Sequence, residues 1–188
     1  MVAKGSDRIT ASALAGDQGV QVLTFRIDEQ EYALVMANVV QVVRMVAITR
    51  SPSSPEAVEG MVNVRGKVIP VLNLRRLFLL ADKPYSLNDH LLIARSGERM
   101  VGLIVDGVRE VLVLPGSALE PPEGIMPEMA EYMTAVGKLG DKMLLILDLE
   151  KLLSLVKGRR RDEVVSEMTA LQQRLKRLVE DMVVSQPS

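Results

Sequence analysis

Cysteine and tryptophan are missing from this chain, histidine occurs once, and the aromatics amount to two phenylalanines and three tyrosines. Without cysteine there is no disulfide framework, no thiolate nucleophile and no Cys-ligated metal, a usage that suits a cytoplasmic protein. A single histidine leaves any metal site to oxygen ligands, and no D-x-D-x-D-G loop is present to supply them. Scarce aromatics exclude the base-stacking platform of a single-strand nucleic-acid binder. One-signed charge is lacking as well: 23 basic residues meet 24 acidic ones for a net charge of −1, so no global field draws nucleic acid or an anionic membrane. Apolar runs such as "MLLIL" (143–147) are far too short to span a bilayer. The opening "MVAKGSDRITASALAGDQG" has no apolar stretch of signal-peptide length. The expectation is a soluble, cytoplasmic protein with no cofactor, no nucleic-acid partner and no membrane insertion.

What is present reads as β-structure. Hydrophobic residues make up 48% of 188 and charged residues 25%, ordinary for a globular chain able to bury a core. Residues 1–19 are small, polar and aperiodic, and read as a flexible lead-in. Alternation then begins at "VQVLTFRI", a polar turn follows at "DEQE", and "YALVM" starts a second strand. After "VVQVVRMVAI" the segment "TRSPSSPEAVEG" reads as a surface loop. A hairpin turning at Arg65-Gly66 follows, with Gly66 supplying positive φ, and "LRRLFLLA" reads as a short helix.

This plan repeats. Val39, Gln41 and Val42 fall on Val108, Glu110 and Val111 at an offset of 69. Asn73 and Leu77 fall on Asp148 and Leu152 at an offset of 75, with the extra residues absorbed by the longer second loop. The repeat predicts two small β-modules packed together, with strands over about 23–80 and 91–155, within a domain of residues 20–157. Residues 158–188 read as an amphipathic helix and tail. Val164, Met168, Leu171, Leu175, Leu178 and Met182 are spaced as a heptad seam that can dock, pair with a copy or bind a partner.

No catalytic constellation is present. "NDH" places His90 at a strand start, "RGKV" lacks the other residues of a phosphate loop, and the carboxylates are scattered. The methionines of "GIMPEMAEYM" read as filler beneath a loop, with an adaptable binding surface as the alternative. Arg159 to Arg161 read as a solvated helix start. Arg65 stands apart because an arginine at a hairpin tip is well placed for recognition. Pro70 removes a ladder donor, so its strand is expected to be an edge or to carry a bulge.

The strings "EYALVMANVVQVVRM", "SPEAVEGMVNVRGKVIPVLNLRRLF", "MVGLIVDGVREVLVL" and "LGDKMLLILDLEKLL" resemble the CheW family of chemotaxis coupling proteins. The resemblance covers residues 21–157. It implies a mainly β fold of two packed five-stranded SH3-like β-barrel subdomains with short helices, followed here by the C-terminal amphipathic α-helix. It also implies a non-catalytic adaptor bridging the cytoplasmic tip of chemoreceptors to the regulatory domain of the histidine kinase CheA, alongside other adaptor copies in an array. A scaffold of a non-flagellar chemosensory pathway is the variant reading. By position, Val39, Gly60 and Arg65 match coupling residues of the family, with Gln41 and Val42 beside them. Two departures stand out: Gln41 where the family commonly has Glu, and Asn73 where it usually has Asp.

Overall fold

From residue 20 onward, residue type predicts strand position closely, because alternating apolar side chains can share a face only in extended chain. A computed structural model describes residues 16, 18–50, 52, 54–156, 169 and 172–181. The strands are β1 Val20–Ile27, β2 Gln30–Val35, β3 Val39–Arg44, β4 Val58–Val64, β5 Lys67–Leu72, β6 His90–Ser96, β7 Arg99–Val105, β8 Gly107–Leu114, β9 Leu119–Glu120, β10 Met133–Leu139 and β11 Lys142–Leu147. Two short helices, α1 Leu74–Leu77 and α2 Leu149–Val156, close the two repeats.

Each half of the chain runs from a hairpin through further strands to a second hairpin and a short helix, but the sheets are not these two halves. One sheet runs β8-β1-β2-β11-β10-β9 and the other β3-β6-β7-β5-β4. Each sheet takes one hairpin from the first half of the chain and one from the second. The hairpins meet through short parallel ladders, β11 to β2 and β5 to β7. The third strand of each repeat crosses over: β3 pairs with β6, and β8 pairs with β1.

The expected mainly β fold with short helices is present, and it differs in two details from a pair of closed five-stranded barrels. One sheet has six strands because the long second loop adds the two-residue β9 beside β10. Neither sheet closes. In the five-stranded sheet the ends approach through one isolated bridge, in which Thr49 and Met61 exchange backbone hydrogen bonds of 2.9 and 2.8 Å. In the six-stranded sheet Pro115, which cannot donate to a ladder, follows β8 directly. β5 is an internal strand, so Pro70 does not mark an edge. Its ladder to β7 begins one residue later at Val71, and the partner strand β4 carries a bulge between Val58 and Gly60.

Burial has three centres. Val20, Val22, Ala33, Leu144 and Ile146 of the six-stranded sheet form one buried cluster. Val62, Ile69, Val71, Leu91 and Ile93 of the five-stranded sheet form a second. Between them lies the largest cluster, including Phe25, Tyr32, Leu34, Leu92, Leu103, Leu145 and Leu152. β6 is apolar on both faces because Leu91 and Ile93 enter one cluster while Leu92 enters another. The scarce aromatics are spent here: Tyr32 stacks on Phe25 at 6.0 Å and on Phe78 at 5.3 Å. Met126, Met129 and Met133 pack against this cluster, as the filler reading of the methionines anticipates.

The chain divides into two units, Met1–Val156 and Lys157–Ser188. Within the second, residues 172–181 are helical. Val164, Met168, Leu171, Met182, the arginines 159–161 and most of the expected lead-in lie outside the described residues. Among the described residues no helix is long and apolar enough to cross a membrane.

Candidate functional site

The candidate residues fall on three features. Val39, Gln41 and Val42 lie on β3, which pairs with β6 on one side only. Along β3, half-buried and exposed positions alternate strictly. Val39 packs on the central cluster and Val43 on the cluster inside the five-stranded sheet. Val40, Val42 and Arg44 point outward, with Val40 44% and Val42 37% exposed. The outward apolar surface is thus Val40 with Val42, while Val39 and Gln41 are half-buried behind it. The period-2 rule applied to "VVQVV" would have found Val40.

Arg65 sits at the exposed tip of the β4–β5 hairpin. The loop has two residues, and both take positive φ: 50° at Arg65 and 81° at Gly66. That is the requirement of a type I′ turn, so Arg65 as well as Gly66 adopts the left-handed region. Asn63 Oδ1 accepts the Gly66 N–H at 2.9 Å and pins the turn. Beside the tip, Val68 is 65% exposed. Neighbouring backbone holds Arg65 out, and among the described residues no carboxylate pairs with it.

Gly60 is buried and offers no contact surface of its own. A Cβ there would lie 2.3 Å from the Thr49 carbonyl oxygen and 2.8 Å from Ile48 Cγ2. Glycine therefore lets the chain leaving β3 bridge to Met61 on β4, which joins the edge strand to the hairpin. Its contribution to the surface is indirect.

Two polar networks support these features, and reading residues singly missed both. Glu59, in the β4 bulge, is buried with Arg76 Nη1 at 3.0 Å from Oε2 and Arg50 Nη2 at 2.8 Å from Oε1, the latter out of line for a hydrogen bond. Asn73 Nδ2 donates to Glu59 Oε2 at 3.2 Å, and its Oδ1 caps α1 by accepting the Arg75 N–H at 3.0 Å. Burial pushes the Glu59 carboxyl up, but hydrogen bonds from Tyr85 and Asn73 and the charges of Arg76 and Arg50 outweigh it and hold it below its usual value. The same neighbourhood raises the Tyr85 phenol, by burial first and then by its bond to Glu59. The Asn at position 73 is thus explained: its amide serves the cap and a buried carboxylate together. Asp148, its repeat partner, caps α2 through the Lys151 N–H at 3.2 Å.

Arg75, the "R" of "NLR", is nearly buried. It donates to Asp28 Oδ1 and Asp106 Oδ2, each at 2.6 Å, and to the Ala81 carbonyl at 3.1 Å. Asp28 turns β1 into β2 in one sheet, and Asp106 joins β7 to β8, so the guanidinium ties both sheets to α1. Asp106 would be raised by burial, but the Asp28 N–H, Arg75 and Lys83 hold it low. A second apolar edge exists on β8, the repeat counterpart of β3, where Val111 and Val113 are exposed.

No group of three or more acidic or histidine side chains placed for a metal occurs among the described residues. His90 opens β6 opposite Arg44 and Val105, as a strand-start residue would. The exposed apolar edge of β3 and the arginine-tipped β4–β5 hairpin both belong to the five-stranded sheet.

The CheW-like domain family model matches residues 21–157. The chain belongs to the CheW family. It is 35% identical over 147 residues to the chemotaxis protein CheW of Klebsiella aerogenes, covering 77% of this chain and 89% of that one. It is 24% identical over 155 residues to protein FrzA of Myxococcus xanthus, covering 81% and 96%. Among solved structures it resembles the scaffolding protein TtCheW from Thermoanaerobacter tengcongensis, with a TM-score of 0.68, 32% identity, and coverage of 76% and 97%. Membership places the protein among the scaffold proteins of chemotaxis. It also accounts for the mainly β double sheet.

Proposed function

We propose that this CheW-family protein is a cytoplasmic adaptor that couples the cytoplasmic tips of chemoreceptors to the regulatory domain of the histidine kinase CheA within a chemosensory array. The observation that carries this reading is the Arg65 hairpin tip, held out by a two-residue turn beside exposed Val68 and bridged through Gly60 to the β3 edge with Val40 and Val42. Planar, always charged and rigidly presented, an arginine of this kind is an anchor for several hydrogen bonds, and the valines supply apolar area around it. β8 provides the second face that an adaptor needs in order to hold two partners.

The adaptor acts by binding one signalling state of its partners more tightly than the other. Coupling energies of about 1–3 kcal/mol give about 5- to 150-fold effects. Each contact can then be modest, because repetition across the array supplies avidity.

The test is calorimetric titration of the protein, wild type and Arg65→Asn, against the CheA regulatory domain and a receptor-tip fragment. Asparagine is at home in the left-handed region before glycine, so the turn survives while the guanidinium is lost. Binding by the wild type, weakened about tenfold against one partner in the variant with unfolding unchanged, supports the reading. A wild type that binds neither partner refutes the coupling role. Equal binding by both forms removes Arg65 from the surface.

A further inference from the structure

The family match ends at residue 157, yet the chain continues into a second unit containing the helix at residues 172–181. On that helix Leu175 is 67% exposed, Leu178 61% and Val179 55%. Exposed leucines three apart at successive seam positions need a partner, and the flanking charges say which kind. In the heptad frame, Arg174 and Asp181 occupy the same flanking position one heptad apart. We infer that this helix pairs with the same helix of a second copy, antiparallel, with Leu175 of each chain packed on Leu178 of the other.

The argument is one of charge complementarity. In an antiparallel pair, flanking residues of the same type face each other, so setting Leu175 on Leu178 brings Arg174 opposite Asp181. Two-fold symmetry makes that ion pair occur twice. Both exposed leucines enter the central layers, and Val179 covers their side. A parallel pair sets Arg174 against Val179, forming no ion pair. The antiparallel register shifted by one heptad sets Arg174 against its own copy, a repulsion. Opposite charge and apolar coverage agree on one arrangement.

The contact spans few layers, so it is weak and concentration-dependent, and it would link two copies of the chain. The inference does not rest on the receptor and kinase reading. It is tested on the full chain by sedimentation equilibrium up to millimolar concentration, with thermal unfolding of the body as the folding control. The expected result is a monomer–dimer equilibrium that Leu175→Asp with Leu178→Asp abolishes. Arg174→Asp and Asp181→Arg alone should each weaken association by about tenfold or more, since each turns two attractions into two repulsions, and the double exchange should restore it. A chain monomeric throughout overturns the proposal, as does a dimer indifferent to the leucine changes. Weakening by Arg174→Asp with no effect of Asp181→Arg overturns the register.

Discussion

Replacing Asn73 by Asp, a change of one side-chain amide to a carboxylate, should destabilise the fold in a pH-dependent way. Asn73 Nδ2 lies 3.2 Å from the buried Glu59 Oε2. The variant sets a second carboxylate at that distance. Two ionised carboxylates 3.2 Å apart repel by about 5 kcal/mol at an effective dielectric constant of about 20. Retaining one proton is the alternative, and from an ordinary Asp value near about 4 that costs about 4 kcal/mol at pH 7. The cheaper route sets the ceiling. Arg76, 3.0 Å from the same oxygen, returns part of it, while Arg50 is too exposed to return much. The net loss should be about 2–3 kcal/mol at pH 7. Capping of α1 is not at issue, because an Asp oxygen accepts the Arg75 N–H as well as the amide oxygen does.

The sign of the pH dependence follows from the shared proton. The folded variant holds a proton that the unfolded chain has released, so its deficit grows as pH rises above about 4 and shrinks towards zero below it. Urea unfolding of wild type and variant between pH 4 and 8 measures this, and Glu59→Gln combined with Asn73→Asp should recover most of the loss. A deficit constant across pH, or no deficit at pH 7, would refute the reasoning.

Other consequences are equally direct. Arg75→Met keeps the apolar stem but leaves Asp106 with only the Asp28 N–H and the half-exposed Lys83; it should cost about 3 kcal/mol in chemical unfolding, and Asp106→Asn in the same chain should recover part. Gly60→Ala forces the Thr49 carbonyl away and loses two backbone hydrogen bonds, about 2 kcal/mol or more, visible as faster amide exchange at Thr49 and Met61; unchanged exchange there would contradict the bridge. Glu59 and Asp106 are both held below their ordinary values of 4.5 and 3.8. Their contribution is therefore complete above those values and lost as pH falls through the lower folded ones, so wild-type stability should be flat near neutrality and drop below about pH 4.

Much of the architecture was legible in residue order. Period-2 alternation marks the strands, Arg65-Gly66 marks a two-residue hairpin, and the offsets relating Val39 to Val108 and Asn73 to Asp148 expose the repeat. These are local signals, because side-chain period and turn chemistry act over a few residues. Partner choice is not local. Nothing in β1 or β2 says that β8, some eighty residues on, completes their sheet, since the free edge of an apolar strand suits any strand of matching pattern. Burial is likewise a property of the packed whole. Val39 and Val40 are identical in type, and only the pleat and the sheets packed behind β3 turn one inward and the other out. Gly60 reads as a contact residue until Thr49 is found against it, and Asn73 as a lapse from a pattern until the Glu59 carboxylate is found at its amide. The chain's own order settled the strands, the turn and the repeat. Tertiary structure alone decided which strands share a sheet and which polar groups must satisfy one another, because long-range pairing depends on what burial brings together.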